Sequence, residues 1–575
     1  MAGRWLVWRA GARWLAGATT LALAGFAQGA APVADTVLLN GKVYTAEQAQ
    51  PWADSVAIKD GRFVLVGERE AAQQWIGSGT VVRDLGGATV LPGLIDGHSH
   101  PGILSLFAST TLAVAPDSDP ESLLDWLGDY AAENPDIPFI VAGFWRTGDF
   151  GVQGPDKALL DRVVPHRPLA LLDDSGHSMW LNSRALAALG VDANTPDPAP
   201  GLAFYQRDEQ GEPTGWVKEF ATAPVQERVL RPQDTQLFKE HLADFLYYLS
   251  SQGVTGLYDG GNLWLHDTVY KALAELDGEG RLPLKYEGTV HVHLPHQIDS
   301  AVDELKRLRR RYGSERLRFN TIKIHFDGVH EIRTSAVLDD FADEPGNRGN
   351  TLVSQQRLTE FIRELHREKI DLHLHVVGDR ATRIALDAYE AAGAQGWDYP
   401  RLTLCHLELV DDADIPRFAE LGVIANFTPH WFGDLFQGGA QTLGERNNHK
   451  MRARSFDDAG ATVTFSSDVV VPFERERANP FLGMQTGLTR QEPALGREGP
   501  VMAPAHERLS LDQLLQGYTL NGAYQFRQPE RVGSIAVGKD ADLVILADDL
   551  FAMDPYRIAD TRVVGTMVDG QFITR

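Results

Sequence analysis

The chain is almost without cysteine. One residue of 575, Cys405, carries a thiol, so no disulfide can form within the chain. Stability must come from burial, which a chain of this length can supply. Positive charge is also scarce. Lys and Arg number 54 against 78 Asp and Glu, for a net charge of -24. A surface of that sign repels phosphate, which argues against nucleic acid and against an anionic membrane surface as partners. Long apolar runs are missing as well. The nearest approach is Leu15 to Phe26, preceded by Arg4, Arg9 and Arg13 and followed by the small residues around Ala27 to Ala31. That run is shorter than the roughly 20 residues a membrane span needs. It reads as a signal peptide over residues 1–31, so the expectation is an exported protein, periplasmic or secreted, with no stable membrane anchor. No internal repeat or low-complexity tract stands out.

What is present divides into β-rich ends and an alternating middle. Asn40-Gly41 lies between Val37 to Leu39 and Lys42 to Tyr44, and Asp60-Gly61 lies between two further apolar runs. Both are hairpin signals. The C-terminal end repeats the pattern from Gly533 to Leu546 and from Val563 to Gly570. The economical reading is one small β-sandwich made from residues 32–88 and 529–575.

Between them, strand candidates recur at Thr89 to Ile95, Val254 to Tyr258, Leu282 to Val290, Phe319 to Phe326, Ile370 to Val376, Leu402 to Leu407, Gly422 to Phe427 and Ala461 to Ser466. Helical patterns such as Arg357 to Glu368 and Arg380 to Ala391 separate most of them. Eight strands with crossover helices predict an α/β (β/α)8 TIM-type barrel over residues 89–528. The long gap after the first strand, about residues 102–252, reads as an insertion covering the barrel mouth.

Active sites of such barrels lie at the C-terminal ends of the strands. There the chain places His98 and His100, then Lys323, His325 and Asp327, then His373 and His375, then His406, and last Asp468. Residues two apart on a strand share a face, so these side chains can converge. Imidazoles and a carboxylate in that number suit a divalent ion, zinc foremost, as one ion or two. A buried lysine is costly. Lys323 makes sense if its amine is carboxylated and bridges two metals, the alternatives being an ion pair with Asp327 or a substrate contact. Asp468 is the candidate catalytic group: a carboxylate beside an activated water can take its proton and pass it to the leaving group. Cys405 should face away from His406 and pack.

With these motifs the chain resembles the amidohydrolase superfamily, and within it the amidohydrolase-3 branch that includes N-substituted formamide deformylase-like enzymes. The branch resemblance rests on Asp174 to Leu186, Thr214 to Glu219, Lys323 to Gly328, His375 to Ala381 and Gly533 to Leu546. It implies that His98, His100, His375 and His406 are metal ligands, that Lys323 holds the fourth-strand lysine position, and that Asp468 is the eighth-strand acid. It further implies that His177 reaches the active site. Glu219 and His325 are candidate substrate contacts. Trp145, with Trp180, Trp216 and Trp431, is a candidate wall for an apolar pocket, buried core being the alternative. One departure stands out: Val329-His330-Glu331 follows Asp327-Gly328 where the branch usually has small residues, so the loop over the metal is bulkier and more polar.

The expected function is metal-dependent hydrolysis of a C–N bond in an amide, formamide or cyclic amide of a small molecule. An esterase or lactonase with the same centre and a non-catalytic exported binding protein are the alternatives. A homo-oligomer is compatible with the sequence.

Overall fold

The computed structural model describes residues 33–110, 113–114, 119–433 and 439–574. The expected signal peptide, residues 1–31, lies outside them. Among the described residues no helix is long and apolar enough to cross a membrane.

The β-rich ends form two sheets. Asp60-Gly61 closes a hairpin between Ser55–Lys59 and Arg62–Gly67, with φ of 50° and 76° at the turn. The Asn40-Gly41 hairpin does not form. Thr36–Leu39 pairs with Ser55–Lys59 and Val81–Asp84 in a four-stranded sheet, whereas Lys42–Tyr44 joins a six-stranded one. The reason lies in burial. Leu38 and Val43 enter the same apolar core, with Phe63, Val90, Leu543 and Met567, and the chain must change sheets to bring both there. The six-stranded sheet holds both ends of the chain: Val563–Val568, Leu543–Leu546, Thr89–Pro92 and Lys42–Tyr44 are successive neighbours in it.

The run from Thr89 to Ile95 is therefore two strands. Thr89–Pro92 belongs to that sheet, and after Gly93 the first barrel strand, Leu94–Ser99, begins. The barrel follows with Val254–Asp259, Lys285–Val292, Leu317–His325, Asp371–Val376, Leu402–His406, Ile424–Phe427 and Thr462–Phe465, each parallel to the one before. This is a (β/α)8 barrel. Polar groups join its last strand to its first. Asp96 accepts hydrogen bonds from Ser467 N at 3.0 Å and Ser467 Oγ at 2.5 Å, and Asp468 N donates to His98 O at 2.9 Å.

The insertion has its own six-stranded sheet, including Ile140–Trp145, Leu169–Asp173, Ser178–Leu181 and Pro213–Lys218. Trp145, Trp180 and Trp216 pack edge-to-face in its core, and Val329, Ile332 and Val377 from the barrel loops enter that same core. Helix Thr235–Ser251 then leads into the second strand, its first turn capped by the Asp234 carboxylate.

Barrel and β-sheets are tied by one buried cation. Lys285, at the start of the third barrel strand, reaches Asp542 at 2.5 Å, Asp569 at 2.8 Å and Asp540 at 3.5 Å. Asp569 keeps Arg316 at 2.9 Å and Asp540 keeps Arg531 at 2.8 Å, so removing the cation leaves Asp542 as the buried, uncompensated carboxylate, which costs about 3–5 kcal/mol. Lys285→Met should lower the unfolding free energy by about that amount in chemical denaturation. A loss below about 1 kcal/mol would show that the cluster is solvated.

Candidate metal centre and cavity

His98, His100, Lys323, His375, His406 and Asp468 converge where the barrel strands end. The Nε2 atoms of His98 and His100 lie 3.2 Å apart. Asp468 Oδ1 stands 3.4 Å from the first and 3.2 Å from the second. Three donor atoms on a triangle of that size fit a tetrahedral ion: with bonds of about 2.0–2.1 Å, the edge of the tetrahedron is about 3.3 Å. On the other side, His406 Nδ1 lies 3.4 Å from Asp468 Oδ2, and the rings of His375 and His406 are 4.4 Å apart. His375 Nε2 and His406 Nδ1 are buried with no hydrogen-bond partner. Lone pairs left bare in this way suit ligation. Burial, with the charge of Lys323 and neighbouring imidazoles, holds His98, His375 and His406 well below the usual histidine range. All three are neutral, the form that binds metal.

The rings are aimed from behind. His100 Nδ1 meets Gly261 O at 3.0 Å, and His98 Nδ1 meets His373 Nε2 at 2.8 Å. Each contact leaves Nε2 turned toward the other. Gly260 makes room for the pair, since a Cβ there would fall 2.6 Å from His98 Nε2 and 2.7 Å from His100 Nε2. His406 and Asp468 both sit in the left-handed region, with φ of 75° and 49°. Such strain persists only where the surroundings impose it, and it clusters at functional sites.

The bend at His406 also corrects the expectation for Cys405. The thiol does not pack on the far face of its strand. It points into the barrel below His406, with Sγ 3.1 Å from Lys323 Nζ and donating to Leu374 O at 3.2 Å. Strand alternation fails there because His406 and Leu407 are left-handed. Burial pushes the thiol up to about 12, so it is neutral. Lys323 Nζ lies 3.4 Å from His98 Nε2. It is not paired with Asp327, whose carboxylate instead accepts the amides of Ala336, Val377 and Gly378, each at 2.9 Å.

Above the centre lies a cavity of about 350 Å³. On one wall Glu219 is shared by His177 Nδ1 at 2.8 Å and His325 Nε2 at 3.3 Å, and its other oxygen accepts from Thr334 Oγ1 at 2.6 Å. Burial alone would raise Glu219, but the two histidines hold it down to about 2. Burial alone would lower His177, but Glu219 lifts it to about 9. The pair is an imidazolium and a carboxylate facing the metal centre. The rest of the lining is largely apolar, with Ile103, Leu106, Phe107, Leu263 and Trp431 among its residues.

Trp145 is corrected: its ring is in the core of the insertion and does not line the cavity. Of the four tryptophans, Trp431 lines it, stacked near-parallel on His406 with centroids 5.4 Å apart. Several polar lining residues carry no role in the sequence reading, among them Asp174, His291, Glu331, Glu408, His430, Glu474 and Arg477. His291 had a signal, since the third strand runs on past Val290 and His291-Val292-His293 repeats the alternation of the first strand. Glu331 had one in the bulky loop after Gly328. Burial, then the charge of Glu408, pushes Glu331 up to about 7.

Comparison with known proteins agrees with this geometry. The amidohydrolase family matches residues 81–574. An exoenzymes regulatory protein, AepA, of Pectobacterium carotovorum subsp. carotovorum is 29% identical over 69% of this chain and 86% of its own. The N-substituted formamide deformylase of Arthrobacter pascens is 27% identical over 93% of this chain and 97% of its own. The solved structure of a metal-dependent hydrolase from Pyrococcus horikoshii OT3 superposes with a TM-score of 0.67 at 21% identity, covering 90% of this chain and 99% of that one. The chain belongs to the amidohydrolase family of metal-dependent hydrolases.

Proposed function

We propose that this protein hydrolyses the C–N bond of a small N-substituted formamide or similar non-peptide amide. The observation that carries the reading is the donor triangle of His98, His100 and Asp468 at the floor of a largely apolar cavity. The likeness to the formamide deformylase, spanning nearly the whole of both chains, supports the bond type.

Zinc, held by His98, His100, His375, His406 and Asp468 with Lys323 as a further ligand if carboxylated, would supply Lewis acidity and a water acidic enough to attack near neutral pH. Asp468, whose two oxygens face the two groups of histidines, is placed to take a proton from the attacking water and pass it to the departing nitrogen. His177, with Nδ1 taken by Glu219, keeps Nε2 for an acceptor on the substrate. His325 shares the same carboxylate and is positioned with it. Phe107, Leu263 and Trp431 exclude water and take the apolar N-substituent. The basic, apolar leader motivates an exported location. A pocket of this size admits a small molecule, not a polymer.

The test is a set of N-alkyl and N-arylalkyl formamides, with matched acetamides and esters, given to zinc-loaded protein while formate and amine are assayed. Formamide turnover well above the spontaneous rate is expected. Turnover confined to esters or lactones would replace this reading with the esterase one.

A further inference from the structure

The loop that carries Glu331 is clamped on both sides. Val329 and Ile332 are in the core of the insertion, Lys218 Nζ donates to Ile332 O at 3.1 Å, and Ser335 Oγ pairs with His330 Nδ1 at 2.7 Å. These contacts hold the backbone of Glu331 at the cavity wall. Its residue is 9% exposed, it lines the cavity, and its Oε1 has no hydrogen-bond partner. Glu408 follows the bend at His406, and its carbonyl accepts from Met451 N at 2.9 Å. It is 4% exposed and lines the same cavity, and its Oε2 also has no hydrogen-bond partner. Lys450 Nζ stands 3.6 Å from that oxygen, close enough for an ion pair but too far for a good hydrogen bond.

Two buried carboxyl groups therefore turn bare oxygens into one cavity, with Lys450 beside one of them. Burying an unmatched carboxylate is expensive, and nothing in fold or packing requires acids here. Another lining acid, Asp174, accepts from Thr147 N at 3.2 Å and Thr147 Oγ1 at 3.1 Å through its Oδ1. An ammonium group supplies what these oxygens lack, several N–H donors on one centre with a charge that favours the carboxylate form.

We propose that Glu331 and Glu408 form a subsite for the protonated amine of an amine-bearing substrate, on the reading above that this cavity is the substrate site. The substrate class narrows accordingly to amides that carry a second, basic nitrogen. The polar loop after Gly328 is then what sets this chain's choice of substrate.

Phenethylamine and 2-phenylethanol, alike in shape and differing in charge at pH 7.5, test this by titration calorimetry on the metal-loaded protein. The amine should bind at least about tenfold more tightly, the equivalent of one charge-assisted hydrogen bond. Glu331→Gln and Glu408→Gln should each bring the two ligands to within about twofold. Glu331→Asp, which keeps the charge, should retain the preference. Metal content and circular dichroism check that each variant is folded, and Glu408→Gln carries the test if Glu331→Gln is not. Equal binding in the wild-type protein, no binding of either ligand, or a preference that survives both Gln variants overturns the proposal. The last outcome would mean that the amine is held elsewhere, for instance by the metal. Hydrolysis is not read in this experiment, so failure of the subsite and failure of the formamide reading are separate results.

Discussion

Asp468→Asn should reduce kcat on an amide by about 10³-fold, within the range set by positioned proton transfer. The substitution keeps shape and fold. Asn tolerates the left-handed backbone that Asp468 adopts at φ 49°, and the backbone N–H that donates to His98 O is untouched. Four imidazoles remain to hold metal, so metal content should stay near the wild-type value. What is lost is a group able to take a proton and give it back. A leaving amine needs that proton and an activated phenolate hardly does. The loss on a matched activated ester should therefore be smaller, about tenfold to a hundredfold. Steady-state kinetics on the two substrates, with metal analysis of the same preparation, reads all three quantities. An amide rate within tenfold of wild type, with metal retained, would remove Asp468 from the proton path.

Stripping the metal should have the other large effect, on activity and stability together. Without the ion, the triangle of His98, His100 and Asp468 holds lone pairs and a charge against one another at 3.2–3.4 Å. Dialysis against a strong chelator should bring activity below about 1% of the starting value, with recovery on adding zinc, manganese or cobalt. A ligand that binds only the folded state at a thousandfold excess over its Kd adds about 4 kcal/mol. The stripped protein should therefore unfold at clearly lower denaturant, and His98→Ala should behave like stripped protein even with metal added. Full activity in protein with less than about 0.2 equivalents of bound metal would refute the centre.

Much of this site could be read from the chain because strand alternation and residue type carry it locally. His98 with His100, and His375 with Lys323 and His325, needed only period two and a position at a strand end. What could not be read depends on partners distant in sequence. Asn40-Gly41 has hairpin chemistry, yet its two strands belong to different sheets, because Leu38 and Val43 share a core with Leu543 and Met567. Thr89 to Ile95 reads as one apolar run and serves two domains. Cys405 and His406 face the same interior because two successive residues are left-handed, which neither residue type announces. Trp145 has the same composition signal as Trp431, and only the folding of the insertion decides that one ring is core and the other a cavity wall. His291 is hidden for a simpler reason: it lies one residue past the apolar run that ends at Val290, although the strand continues to Val292.

The six-stranded sheet that contains both ends of the chain bears on how the protein is made. Thr89 pairs with Leu546, so the N-terminal strands leave the ribosome long before their neighbours exist. Until Leu543–Leu546 arrive, Thr89–Pro92 presents a free edge, the kind of surface that recruits other chains. Closing so long a loop in an unfolded chain would be slow, but a folded barrel already brings its two flanks together. A chain broken off before residue 543 would keep every barrel strand but lose the Asp569 partner of Lys285, and would leave Thr89–Pro92 as an open, sticky seam.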